Sequence, residues 1–181
     1  MRHSYLRRLE PEAYRGEAFV HWSMTIEHRA TGWLTPAFHA GCREILIHIL
    51  FKHQLACPVY CLMPDHVHLL WLGYAASSDQ RAAARFFRRC VNALLAPRSF
   101  QQQGYDHVLR GLERERGAFE STAGYILENP VRAGLVEKAA GYAYTGCVIP
   151  GYPELSIAMP DYWERFWRAY YFLMARAGGE E

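Results

Sequence analysis

The chain has 181 residues, 51% of them apolar, a formal charge of +2 and a pI near 8.3. That length and apolar content suit one domain with one core. The weak net charge does not advertise nucleic-acid binding, so a DNA partner would need basic residues concentrated in one place. Five cysteines, an odd number without a repeating spacing, argue for reduced thiols in a cytoplasmic protein. No apolar run reaches the roughly 18 residues of a membrane span, and the N-terminus lacks the apolar stretch of a signal peptide. No membrane association is expected.

Residues 1–17 are polar and basic and read as a loose arm. Phe19 to Glu27 alternates, with Trp22, Met24 and Ile26 on one face and His21, Ser23 and Thr25 on the other, which predicts a half-buried strand. Thr35 or its neighbour can cap a helix carrying Phe38, Cys42, Ile45, Leu46, Ile49 and Leu50 at helical spacing. Pro58 to Met63 and His66 to Leu72 predict two strands joined by the connection Met63-Pro64-Asp65. Ser77 to Leu95 reads as an amphipathic helix, Tyr105 to Arg110 as a strand, and Glu113 to Leu127 as a helix that Pro130 discourages from continuing. Gly146 to Pro160 reads as loop, and Tyr162 to Ala175 as a short terminal helix whose aromatics either seal a core or stack on bases. The order strand, helix, strand, strand, helix, strand, helix predicts an α+β ferredoxin-like sandwich, an antiparallel sheet with helices packed on one face.

Two clusters carry the chemistry. His66 and His68 flank Val67 in a strand, so both imidazoles stand on one face, about 6 to 7 Å apart at Cα. Such a pair suits a shared metal ion; a polar, half-exposed strand face is the bland alternative. Tyr125 and Asn129, four apart at a helix end, would bring a phenol and a carboxamide to one side. Arg81, Arg85, Arg88 and Arg89 recur along the second helix, either as a basic ridge for DNA or as a solvated face. Arg132, just behind Asn129, is a candidate phosphate contact or a helix cap.

The run Met63-Pro64-Asp65-His66-Val67-His68-Leu69-Leu70, followed by Tyr125-Ile126-Leu127-Glu128-Asn129-Pro130-Val131-Arg132-Ala133-Gly134-Leu135-Val136, strongly resembles the REP-associated tyrosine transposases. These are single-tyrosine HUH transposases, and Val67 fills the hydrophobic position of that motif. The resemblance runs from about Phe19 to Tyr144 and includes Tyr105-Asp106-His107-Val108-Leu109-Arg110. It implies a ferredoxin-like fold and one transposase-like domain over 1–181, with residues from about 145 as a C-terminal extension. It further implies that Tyr125 attacks single-stranded DNA to form a 5′-phosphotyrosine link. His66, His68 and Asn129 would hold Mg2+ or Mn2+, and the partners would be single-stranded DNA hairpins met by a monomer or a homodimer. Two imidazoles by themselves would also accept zinc.

Other readings stand beside this one. His107 and Asp106 could line the site or be ordinary strand polar residues. Tyr105, Tyr142 and Tyr144 are lesser candidates for the nucleophile, and Glu128 would point about 100° away from its neighbour Asn129. A structural zinc module of Cys57, Cys61, His66 and His68 is chemically sound. A three-residue loop at Met63–Asp65 would set Leu62 opposite His66 and both cysteines on the far face; a two-residue loop or a bulge would reverse that. A hairpin-binding protein without catalysis is the remaining alternative.

Overall fold

In a computed structural model, residues 8–179 are described. Five strands form an antiparallel sheet: β1 (Phe19–Thr25), β2 (Leu55–Met63), β3 (His66–Gly73), β4 (Tyr105–Leu109) and β5 (Thr145–Val148), in the order β4-β1-β3-β2-β5. The first four follow the split β-α-β order of a ferredoxin-like sandwich, with β5 added beside β2. Helix α1 (Pro36–Lys52) crosses from β1 to β2, and α2 (Gln80–Leu95) from β3 to β4. Both have the expected start signals. The Thr35 side chain accepts from Phe38 N–H at 3.1 Å, and Asp79 accepts from Ala82 N–H at 2.8 Å, each satisfying a donor that the first turn leaves free.

One face of the sheet is covered as expected. Trp22, Met24, Val67, Leu69 and Trp71 pack beneath Phe38, Cys42, Leu46, Ile49 and Leu50 of α1 and Ala83, Phe87 and Val91 of α2. The other face is covered too. Helices α3 (Arg116–Leu127) and α5 (Tyr162–Gly178) close over Phe19, Val59, Leu70, Leu72 and Leu109. Between them comes the single-turn α4 (Asn129–Arg132). The expectation of helices on one face therefore describes the α1–α2 layer, and a second layer exists. Its sequence sign is β2, buried at every position, as befits a strand covered on both sides.

The second layer is held by aromatics. Tyr162, Phe166, Trp167 and Tyr170 are buried at helical spacing along α5, and Phe119, Ala123 and Ile126 line the inner side of α3. The Trp167 indole donates to Glu120 at 3.0 Å, Tyr162 OH to Pro58 O at 2.6 Å and Tyr170 OH to Gly73 O at 2.7 Å. The terminal helix is thus longer than read from sequence, and its buried aromatics seal a core. The stretch 8–17, read as part of a loose arm, is instead packed. It carries a 3-10 turn (Pro11–Tyr14), and Tyr14 is buried, with its hydroxyl donating to Asp106 and its ring beside Trp22. Residues 1–7 of that arm lie outside the described residues.

Candidate metal and tyrosine site

The geometry of the paired histidines follows from the β2–β3 hairpin. Met63 faces His66, Leu62 faces Val67 and Cys61 faces His68, so the connection is the two residues Pro64 and Asp65. The three-residue loop expected from sequence is corrected, together with its pairing of Leu62 with His66. Cys61 consequently shares a sheet face with His68. Cys57 does not, because the register shifts between Ala56 and Val59 and such an irregularity reverses side-chain parity. Cys57 lies in the α1–α2 core and Cys61 in the α3–α5 core. The four ligands of the zinc module stand on opposite sides of the sheet, and that alternative is excluded.

His66 and His68 meet at their outer nitrogens, with Nε2 to Nε2 at 3.0 Å. Two cis ligands at about 2.1 Å from one ion would be about 3.0 Å apart, so the pair is spaced for a common cation. Asp65 Oδ1 lies 2.6 Å from His66 Nδ1; a carboxylate there accepts the Nδ1 proton and leaves Nε2 as a lone pair. Asp65 is itself fixed by Arg29 at 3.0 Å. Burial, aided by His21, His66 and Arg132, lowers the pKa of His68 to about 3. Its imidazole is therefore neutral at neutral pH, the state in which it can ligate.

One neighbour was missed in reading the sequence. His21 of β1 shares this face, and its Nε2 lies 3.0 Å from His68 Nδ1. Burial, then His107, lowers the His21 pKa to about 4. Alternation had assigned it to a polar strand face; the α3–α5 layer makes that face largely interior. The signal was present only as a histidine at the same parity as Phe19, which is buried.

Tyr125 and Asn129 sit where α3 gives way to α4. Pro130 has no N–H for the carbonyl of Ile126. The Asn129 side chain compensates, its Nδ2 donating to Tyr125 O at 3.1 Å and Ile126 O at 3.2 Å. With the amide nitrogen committed to the helix, Oδ1 is left as an acceptor or ligand. Arg132 Nη2 also donates to Tyr125 O, at 2.8 Å, and its guanidinium lies 3.9 Å from the Tyr125 ring centroid. A cation at a helix C-terminus is favourable; the capping role of Arg132 is thus present, and the same group stands close enough to His68 to disfavour its protonation. The Tyr125 ring is 56% exposed, open to a substrate. Glu128 is exposed at the junction.

The other candidates separate. Tyr142 is committed, donating to Leu62 O at 2.8 Å, and Tyr144 meets His39 edge to face. Tyr105 is exposed on edge strand β4. His107 faces the same side as His21 but pairs with Glu113 at 2.8 Å. Asp106 points to the opposite face, where it meets Arg8 and Tyr14. Among the described residues, no group of three or more His, Cys, Asp and Glu is placed to hold a metal ion. An ion on the His66–His68 pair would take its third protein ligand from a carboxamide such as that of Asn129, with water completing its shell. Two imidazoles, one amide oxygen and water make a donor set that suits a divalent ion.

The arginines of α2 lie on the other face. Arg81, Arg85 and Arg88, joined by Arg8, line a cleft of about 90 Å³ floored by Trp22 and Met24. Arg81 stands over Tyr14, Arg88 over Phe100 and Arg8 over Trp22. Arg8 Nε is 2.9 Å from Asp106, an ion pair whose N–H is not aimed at the oxygen. Burial and the charge of Arg8 lower the pKa of Arg88. Arg89 is not part of this cleft and stacks on Phe86. Two larger grooves, of about 480 and 510 Å³, contain none of the candidate residues.

No family model and no curated protein matches the sequence. Solved structures do match the fold. A REP-associated tyrosine transposase bound to a REP hairpin superposes with a TM-score of 0.66 at 18% identity, over 78% of this chain and 81% of that one. A protein described as a transposase of Deinococcus radiodurans gives a TM-score of 0.41 at 15% identity, over 67% of this chain and 98% of that one. A bacterial tRNA(His) guanylyltransferase-like protein in complex with GTP gives 0.47 at 12%, over 90% and 94%. The last two superpose too loosely to carry an argument. The first establishes that this chain has the fold of a REP-associated tyrosine transposase.

Proposed function

We propose that the protein is a metal-dependent single-strand DNA endonuclease and strand transferase that cuts and rejoins hairpin-bearing DNA through Tyr125. One observation carries the reading. Arg132 donates to the Tyr125 carbonyl and lies over its ring, and its charge adds, after burial, His21 and His66, to what disfavours protonation of His68. In this reading the phenol and the paired imidazoles serve one site. The neighbour of the same fold is bound to a REP hairpin, and a structured single strand is the substrate class proposed here.

In this reading the Tyr125 oxygen attacks phosphorus as its phenolic proton leaves to water. The bond to the 3′ oxygen breaks, and that oxygen takes up a proton as the hydroxyl of the released strand. The 5′ phosphate remains on tyrosine, so the bond energy is kept and a second 3′-hydroxyl can reverse the step. His66, His68 and Asn129 would hold the divalent ion, magnesium or manganese. What the ion would supply when bound is withdrawal of charge from a non-bridging phosphate oxygen, which favours attack by a phenol. Arg132 offers a guanidinium to a phosphate. Arg81, Arg85 and Arg88 are the proposed contacts to the phosphates of the hairpin stem, with Arg89 beyond the cleft as a weaker one.

The test is cleavage of end-labelled single-stranded hairpins in manganese by the wild type and by Tyr125→Phe. Cleavage by the wild type alone is expected. Equal cleavage by Tyr125→Phe would remove the tyrosine mechanism, and hairpin binding without cleavage by either protein would favour a binding protein.

A further inference from the structure

We infer that His21 is the positioning residue of the proposed metal site, accepting a hydrogen bond from His68 Nδ1–H and thereby presenting the His68 Nε2 lone pair to the shared cation. The inference rests on the metal reading of His66 and His68. It assigns a role to a side chain from a separate strand, 47 residues upstream of His68.

The two ligating rings differ in what holds them. His66 has a carboxylate behind it, Asp65 at 2.6 Å, which selects the tautomer with Nε2 free. Among the described residues, His68 has no carboxylate behind it. Its Nδ1 is met by His21 Nε2 at 3.0 Å and its Nε2 by His66 Nε2 at 3.0 Å, so both nitrogens of this buried ring are engaged by other imidazoles. The register makes the contact: Ser23 lies opposite His68 and Leu70 opposite His21, so His21 reaches His68 along the diagonal of one sheet face.

Proton counting gives the consequence. Without a cation, one neutral chain satisfies every contact. His66 donates Nδ1–H to Asp65, His68 donates Nε2–H to His66 Nε2, and His21 donates Nε2–H to His68 Nδ1. A cation at the two Nε2 atoms requires His68 to carry its proton on Nδ1 instead. That proton then needs an acceptor in a buried place, and His21 provides one by shifting its own proton from Nε2 to Nδ1. Both rings stay neutral throughout. An apolar residue at position 21 would leave the Nδ1–H without a partner and oppose the metal-bearing tautomer.

Manganese titrations followed by electron paramagnetic resonance on wild type, His21→Leu, His21→Gln and His68→Ala test the inference. His21→Leu should bind Mn2+ about 10- to 100-fold more weakly, whereas His21→Gln, whose amide oxygen can accept the same proton, should restore most of the affinity. Wild-type affinity in His21→Leu, or equal weakness in Leu and Gln variants, would overturn it. If His68→Ala binds Mn2+ as tightly as wild type, the metal reading itself falls, and the role of His21 with it. A measurement on the unsubstituted protein guards against misfolded variants: imidazole 15N shifts with Mg2+ should place the His68 proton on Nδ1. A proton on Nε2 in the loaded protein would contradict the inference, and unchanged shifts at both His66 and His68 would contradict the underlying reading.

Discussion

Both faces of the sheet are covered by apolar side chains but present different chemistry. On the α3–α5 face, histidines from β1 and β3 meet ring to ring, and burial lowers their pKa values. On the α1–α2 face, guanidinium groups collect at a cleft where Arg8 pairs with Asp106. Burial disfavours charge on both: it lowers the pKa of His21 and His68 on one side and that of Arg88 on the other. Under the proposed function, one face serves bond chemistry and the other the grip on a polyanion.

Breaking that division should give separable losses. The largest is expected from His66→Ala or His68→Ala, which should reduce cleavage of hairpin DNA to background while leaving hairpin affinity within a few-fold; a parallel loss of affinity would show that the two faces are not separable. Next, Phe166→Ala should cost about 3 to 5 kcal/mol of folding stability by urea denaturation, because a fully buried ring leaves a cavity. It should also impair cleavage, since α5 holds α3 in place. A change under about 1 kcal/mol would mean the second layer contributes little to the fold.

Acid should act mainly through the histidine face. His21 and His68 have folded pKa values near 4 and 3 against an ordinary 6.5. The unfolded chain therefore binds more protons below pH 6.5, and stability falls as pH drops from there toward those values. Between pH 7 and pH 5 the chelated protein should lose up to about 4 kcal/mol from the pair. Chemical denaturation at the two pH values measures it, and a flat profile would mean that neither ring is held neutral by burial. The smallest effect is expected from Arg85→Ala, an exposed residue of the cleft. Hairpin affinity should fall a few-fold, and the salt dependence of binding should lose about one unit of slope. An unchanged slope would remove this cleft from the DNA path.

Much of this was legible in the sequence where local chemistry decides. The alternation of β1, the Thr35 cap, the paired strands around His66 and His68 and the Tyr125–Asn129 spacing all reappear in the fold. What failed to be legible depended on strand parity and on tertiary cover. Leu55–Met63 is apolar throughout, so its pattern could not reveal the shift near Cys57 or the two-residue turn that sets Cys61 across from His68. His21 looked like a solvent-side residue because nothing local announces that α3 and α5 cover its face. Tyr14 looked like part of a free arm because its partners, Trp22 and Asp106, are distant in sequence. The arginines were readable as a helical ridge, but Arg8 joined them only in space, and Arg89 turned aside to Phe86.

The central claim concerns one oxygen atom. Incubating the wild-type protein with labelled single-stranded hairpin DNA and manganese, trapping any covalent adduct and mapping it by mass spectrometry tests that claim most directly. The account predicts a phosphodiester-linked nucleotide on the peptide containing Tyr125. An adduct on Tyr105, Tyr142 or Tyr144, or strand cleavage with no protein–DNA adduct, would contradict it.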